Sequence, residues 1–478
     1  MRTGPTVRTN VDGLRRKKRV NRGREAGAPV GAPRPACGIT GSVRVQNRHV
    51  IYVQGYDPRG LARYYRMFRT ELRKFDRLYQ LKTTISRPQD LSEGEIASWS
   101  IETRADDWQT RTAYDFLRFE DFIKRDLAQP IRKTVFAALW VYCQLVFGGT
   151  IARFAKANWR FATFVSYPYL VLLAEALCAA GVAWLFRKGL DAFGVPDPFS
   201  LLAAAALFVA LLGTMLKYTE DRTYVLYLLR DHIWTWEFAH RRQPEWDRRI
   251  DRFAEHLCKV ARTTRAEEIV LVGHSSGSFL AIEILARALK LDPALGQRGA
   301  RVMLLTVGGN CPVVGYHAAA QDFRDRLREL AVEPSIEWID CQARKDVMNF
   351  FQFDPIAGHG IDVGAARCNP AAIVPVRFRE IIAPEHYKLF RWQFFRVHFQ
   401  FVMANEQPHA YDFFMIVCGP VPLRERMAMP DAALAVATGD ASAREFAWRR
   451  LELENSSPHG QISAEELGKL EPPARSRG

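Results

Sequence analysis

The stretch Gly273-His274-Ser275-Ser276-Gly277 constrains this chain more than any other, because it lies between a short apolar run and a helical pattern. Before it, Ile269 to Val272 is apolar and rich in β-branched residues, which suits a strand buried on both faces. After it, Ala281, Ile284, Leu285 and Ala288 recur at helical spacing, with Glu283, Arg287 and Lys290 on the opposite face and Asp292-Pro293 closing the helix. In that setting G-x-S-x-G reads as a nucleophile elbow. A serine hydroxyl is a weak nucleophile and must be held at a tight turn where a base can reach it. Gly273 and Gly277 lack a Cβ, so the turn can be tight and the helix can approach the strand. The backbone N–H of Ser276, at the helix N-terminus, then supplies one half of an oxyanion hole.

On these residues the chain resembles the α/β-hydrolase superfamily, and especially its lipase and esterase members. The resemblance implies an α/β fold whose mostly parallel sheet, flanked by helices, runs from about Arg48 to Pro420 around a large insertion. It also implies the order nucleophile, acid, histidine along the chain. Arg301 to Val307, Ile336 to Cys341 and Val374 to Ile382 read as the strands after the elbow. The acid is expected in the loop after the second of these, where Asp346 is the first choice and Asp340 and Asp354 compete. The histidine is expected after the last strand. His398 is preferred, at the start of a final helix reaching Ala404, with His386 and His409 as alternatives. His274 is placed in the pocket wall and His359 in a loop. Upstream, His49 to Gln54 reads as a strand leading into Gly55-Tyr56-Asp57-Pro58, and Ala97 to Thr103 as the next strand. The resemblance assigns the second oxyanion donor to the loop after such an early strand, here the Tyr56 amide; an ordinary turn is the other reading.

Between the early strands and the elbow lie two stretches of different character. From Phe161 to Phe186 the only formal charge is Glu175, and Pro198 to Leu216 has none. Each is long enough to cross roughly 30 Å of hydrocarbon, so the pair reads as a transmembrane hairpin. Because strands near Val50 and Ile269 share one sheet, the number of crossings must be even. Val135 to Ile151, shorter and interrupted by Gln144, Gly148 and Gly149, is therefore placed at the interface. Arg153, Lys156 and Arg160 before the hairpin and Lys217 after it put the catalytic domain in the cytoplasm, and high alanine and arginine usage suggests a bacterial inner membrane. The competing reading is a buried helical cap domain.

Net charge is +15, much of it in a leading segment that includes Arg15, Arg16, Lys17, Lys18 and Arg19 and then turns rich in glycine and proline. That segment suits disorder and attraction to anionic lipid; no nucleic-acid motif accompanies it. The eight cysteines are scattered with no C-x-x-C, which argues against a zinc site or a disulfide framework. No phosphate loop or metal motif occurs, so no cofactor is expected. The chain thus divides into a basic disordered tail over 1–40, a first part of the hydrolase domain over 41–130, and a membrane-associated insertion over 131–220. A second part with the elbow follows over 221–425, then a mostly disordered tail over 426–478. The expected function is a membrane-anchored serine hydrolase of lipid or acyl esters, with thioester hydrolysis or acyl transfer open to the same residues. A non-enzymatic membrane protein that uses the domain for binding or assembly is the alternative.

Overall fold

Every residue from Glu268 to His274 is buried, so the run before the elbow is a central strand covered on both faces. The computed structural model describes residues 44–456; the basic tail over 1–40 and the end of the chain past 456 lie outside the described residues. The strands are β1 (Asn47–Val53), β2 (Lys82–Ile85), β3 (Gln89–Asp90), β4 (Ile96–Arg104), β5 (Gln109–Leu117), β6 (Glu268–His274), β7 (Arg301–Val307), β8 (Ile336–Gln342) and β9 (Ala372–Pro375). They form one sheet in the order β2-β4-β5-β1-β6-β7-β8-β9, with β3 added to β4. From β5 to β9 across the sheet all neighbours are parallel. The pairings of β4 with β2, β3 and β5 are antiparallel, so the sheet is mixed, with five parallel pairings and three antiparallel ones. The cause is the short link between β4 and β5, where the Ala105 amide donates to the Trp108 carbonyl at 2.9 Å. A tight turn reverses the chain, whereas a parallel pair needs a crossover.

Alternate residues of the strands feed two apolar layers. The main helices before and after β6 are α1 (Leu61–Tyr79), α2 (Glu120–Leu127), α3 (Ile131–Phe147), α4 (Thr150–Ala192), α5 (Asp197–Thr223), α6 (Val225–Ala239), α7 (Pro244–Thr263) and α8 (Gly277–Leu291). Ile51, Val53, Ile269 and Leu271 pack with Phe253, Leu257, Ile284 and Leu285 of α7 and α8. On the other face Val50, Tyr52, Val270 and Val272 pack with Phe68 and Phe75 of α1 and with Phe414. Period-2 strands between period-3.6 helices give a three-layer α/β arrangement.

The insertion leaves the sheet after β5 and returns through α7. Its helices α4 and α5 pack on each other and are long and apolar enough to cross a membrane. Many of their apolar side chains face outward, Leu202 being 67% and Val209 68% exposed. Glu175, the one charge of the first stretch, is buried and accepts a hydrogen bond from Thr219 of α5 at 2.6 Å. Both helices outrun the expected spans of 161–186 and 198–216, and α4 is kinked at Asn158, whose φ of −154° and ψ of 99° leave the helical region. The third apolar stretch is split: α3 ends at Phe147, Gly149 in a left-handed turn follows, and α4 has begun by Ile151. α3 packs on α6 and α4.

Three further expectations are corrected. Val374 to Ile382 is not one strand: β9 stops at Pro375, opposite Gln342 where β8 itself ends, and Phe378–Ile381 turns into a short helix. No helix begins at His398, which lies inside the helix Phe394–Phe399. The region after 426 is ordered at least to 456. The helices Pro430–Thr438 and Ala441–Ser456 bury Ala432, Ala433, Val436, Trp448 and Leu451 against Val421. Three of the eight buried residues of this cluster are alanines, which carry too weak an apolar signal to separate the segment from a polar tail.

Candidate active site

The register of the sheet brings the site together. Val53 at the end of β1, Gly273 in β6 and Thr306 in β7 lie side by side, and the turns beyond them form one edge of the sheet. Ser275 has a φ of +59°, in the left-handed region that a residue with a Cβ avoids, at about 1–3 kcal/mol. The surroundings hold it there. Its amide donates to the Val307 carbonyl at 3.2 Å, and the Ser278 amide donates to its own carbonyl at 2.9 Å. Close approach demands the flanking glycines. A Cβ on Gly277 would stand 2.1 Å from the Val53 carbonyl oxygen, and one on Gly273 would stand 2.6 Å from the Gly277 carbonyl oxygen.

Gly55 adds a third tight contact that the motif alone does not announce. A Cβ there would lie 3.0 Å from Ser275 Cβ and 3.2 Å from the Ser276 nitrogen. The loop after β1 is thereby pressed against the elbow, so the Tyr56 amide follows a residue touching the Ser276 amide. The Tyr56 ring is buried against Trp234 at 4.9 Å between centroids, which anchors this loop. Tyr227 also donates its hydroxyl proton to the Tyr56 carbonyl.

His398 and Asp346 meet across the same edge. The His398 Nδ1 to Asp346 Oδ2 distance is 2.7 Å, both side chains are buried, and Asp346 Oδ1 accepts from the Met348 amide at 2.9 Å. With Nδ1 engaged, the other ring nitrogen, Nε2, is buried without a hydrogen-bond partner among the described residues. Both Ser275 and His398 line a cavity of about 710 Å³. The competing residues are occupied elsewhere. Asp340 accepts from Thr306 at 2.5 Å and Gln342 at 2.6 Å, and burial pushes its carboxyl up to about 6. Asp354 accepts from the Ile356 amide at 2.8 Å and pairs with Arg367 at 2.7 Å. His386 is exposed and paired with Glu406 at 2.8 Å, while His409 accepts from the Tyr411 amide at 3.0 Å.

Comparison of the chain with protein-family models, with curated proteins and with solved structures finds no match.

Several residues of the site carry no mark in the sequence motif. His274 donates through Nε2 to the His398 carbonyl at 3.1 Å and accepts from the Tyr52 hydroxyl at Nδ1, 3.4 Å away. Burial holds its imidazole well below the ordinary value, so it stays neutral and clamps the backbone of His398. Asn310 donates from Nδ2 to Ser276 Oγ at 3.4 Å and from its amide to Ser278 Oγ at 3.2 Å. A signal for it existed in Gly308-Gly309-Asn310 directly after β7, since Gly308 takes a φ of +57°. Asp57 and Arg59, paired at 2.6 Å, also line the cavity, with the guanidinium 4.1 Å over the Phe399 ring.

Four carboxyl side chains line the cavity, those of Asp57, Glu220, Asp221 and Asp231. Asp231 of α6 lines it, and its Oδ1 is buried without a partner. Burial pushes the group up to about 7, an effect that the charge of His398 partly offsets. The folded protein thus keeps a proton that the unfolded chain releases near pH 4, so stability from this group is full below pH 4 and is lost as pH rises through about 7. Asp231→Asn is expected to flatten this loss. Thermal unfolding in detergent between pH 5 and 8 checks it, and parallel curves for the two proteins would refute the assignment.

Proposed function

We propose that the protein is a membrane-anchored serine hydrolase of the α/β-hydrolase type that cleaves ester bonds of a lipid or other acyl substrate. One observation carries the reading. A serine held in a strained elbow faces the same cavity as a histidine whose Nδ1 is bound by a buried carboxylate and whose Nε2 is unengaged. Ser275 Oγ attacks the carbonyl carbon while His398 Nε2 takes its proton, and Asp346 stabilises the imidazolium. The amides of Ser276 and Tyr56 receive the oxyanion. His398 returns the proton to the leaving alcohol, and the same histidine then activates water to release the acid from Ser275.

The lipid part of the proposal rests on where the cavity lies. Phe161, Phe164 and Val165, at the start of the apolar stretch of α4, line it together with Tyr224 just past α5. The outward apolar faces of α4 and α5 support a bilayer rather than a soluble cap, whose helices would bury that surface. Positive residues at the feet of the hairpin favour a cytoplasmic catalytic domain.

A fluorophosphonate probe tests the chemistry. Intact protein in detergent is expected to label, and Ser275→Ala is expected not to. Equal labelling of the two would leave a non-enzymatic binding domain as the better reading. Carbonate extraction tests the anchor, because release from membranes would favour the cap domain.

A further inference from the structure

Outside the cavity, three cations from separate parts of the chain converge at the foot of α4. Arg160, just after the kink, donates to the Arg344 carbonyl at 3.2 Å. Lys345, in the loop after β8, places Nζ 5.4 Å from the centre of the Trp392 ring, and the Arg391 guanidinium lies 5.0 Å from the same ring. The Arg160 guanidinium lies 5.7 Å from the Trp159 ring. Burial, then the charges of Arg391 and Arg160, hold the Lys345 ammonium below its ordinary value. Like charges repel at this range, and none of the three has an acidic partner among the described residues. Elsewhere on this molecule arginines in such clusters are matched. Arg241 and Arg287 share Asp247 and Glu283, and Arg249 binds Glu95 and Asp121.

The surroundings suit one kind of anion. Trp159 is 66% and Trp392 69% exposed, and Leu389 and Phe394 beside them are exposed too. Apolar and aromatic side chains of this kind are unfavourable in water and suit the boundary between headgroups and acyl chains. The apolar stretch of α4 starts at Phe161, next to Arg160. We propose that Arg160, Lys345 and Arg391 form a site for the phosphate of an anionic phospholipid, with Trp159 and Trp392 at the level of its glycerol. This rests on the membrane reading of the hairpin and is distinct from the basic tail. Asp346 follows Lys345 directly, so a bound headgroup restrains the loop that carries the proposed catalytic acid.

The test uses the full chain in phosphatidylcholine nanodiscs containing a minor fraction of brominated lipid, either phosphatidylglycerol or phosphatidylcholine. Tryptophan quenching is expected to be stronger with the brominated anionic lipid, reflecting local enrichment on the order of tenfold. The variant Arg160→Gln/Lys345→Gln/Arg391→Gln is expected to bring it down to the zwitterionic level. Equal quenching by the two lipids in wild type, or an unchanged preference in the variant, overturns the site. If the protein instead stays soluble without nanodiscs, it is added to vesicles of the same two compositions. A headgroup preference there, lost in the variant, would keep the site and remove only the hairpin; no preference would remove both. Binding of a labelled oligonucleotide by wild type alone, without lipid preference, would reassign the patch to nucleic acid.

Discussion

His398→Ala is expected to lower kcat on a soluble ester by a factor on the order of 10⁴ to 10⁶, and Asp346→Asn by about 10⁴. The reason is geometric. In the proposed mechanism the 2.7 Å contact between His398 and Asp346 fixes the ring so that Nε2 can serve as base, and an amide in place of the carboxylate favours the wrong tautomer. Residues that act as one unit are not additive, so the double variant should be no slower than His398→Ala alone. His386→Ala and His409→Ala are the discriminating controls, since they sit on Glu406 and beside Tyr411 outside the cavity. Each should keep activity within a few-fold of wild type. Steady-state kinetics and probe labelling of wild type and the five variants decide it, and a large loss in either control would displace His398 from its role.

Gly277→Ala is expected to be among the most destabilising single methyl additions at the described residues. The new Cβ would lie 2.1 Å from the Val53 carbonyl oxygen and 3.0 Å from the Gln54 carbonyl carbon, both backbone atoms of a central strand end that cannot move cheaply. Overpacking of this kind costs about 3 kcal/mol or more. Gly213→Ala is the matched comparison: it lies on α5 with nothing within 4 Å of its Cβ position, and alanine is the better helix former. Thermal melts in detergent should show Gly277→Ala failing to fold or melting far lower, and Gly213→Ala unchanged or slightly higher. Comparable melts would mean that the helix is not pressed onto β1 as described.

What the sequence made legible follows from how local each signal is. The elbow was readable because strand, turn and helix are contiguous and Gly273 is required by a contact with Gly277 inside the motif, although Gly277 answers to the distant end of β1. β7 was readable because a strand buried on both faces is a nearly continuous apolar run, and β8 because Ile336, Trp338, Ile339 and Cys341 keep an apolar pattern around Glu337 and Asp340. β5 was not, because its buried positions include Thr110, Thr112 and Asp115, whose polarity hides the alternation. β2 and β3 are short, lie at the antiparallel edge, and carry little apolar pattern. The choice between Asp340 and Asp346 was open because both are buried acids near the end of one strand, and only the third dimension shows which of them meets His398. Asp231 and Gly55 had no local mark at all, since their roles arise from what the insertion and β1 are folded against.

β1 lies between β5, made soon after it, and β6, whose Glu268 joins Arg48 in a buried 2.8 Å ion pair across 220 residues of chain. During synthesis, then, β1 must wait with one hydrogen-bonding edge open until both long apolar helices have left the ribosome. Under the proposed anchoring, delivery of the hairpin to the bilayer comes first and closure of the sheet second. A nascent chain that stalls between these events presents a bare strand edge beside unshielded apolar helices, a combination prone to aggregation. Expression of this protein should therefore be limited less by the stability of the finished fold than by the speed of the insertion machinery.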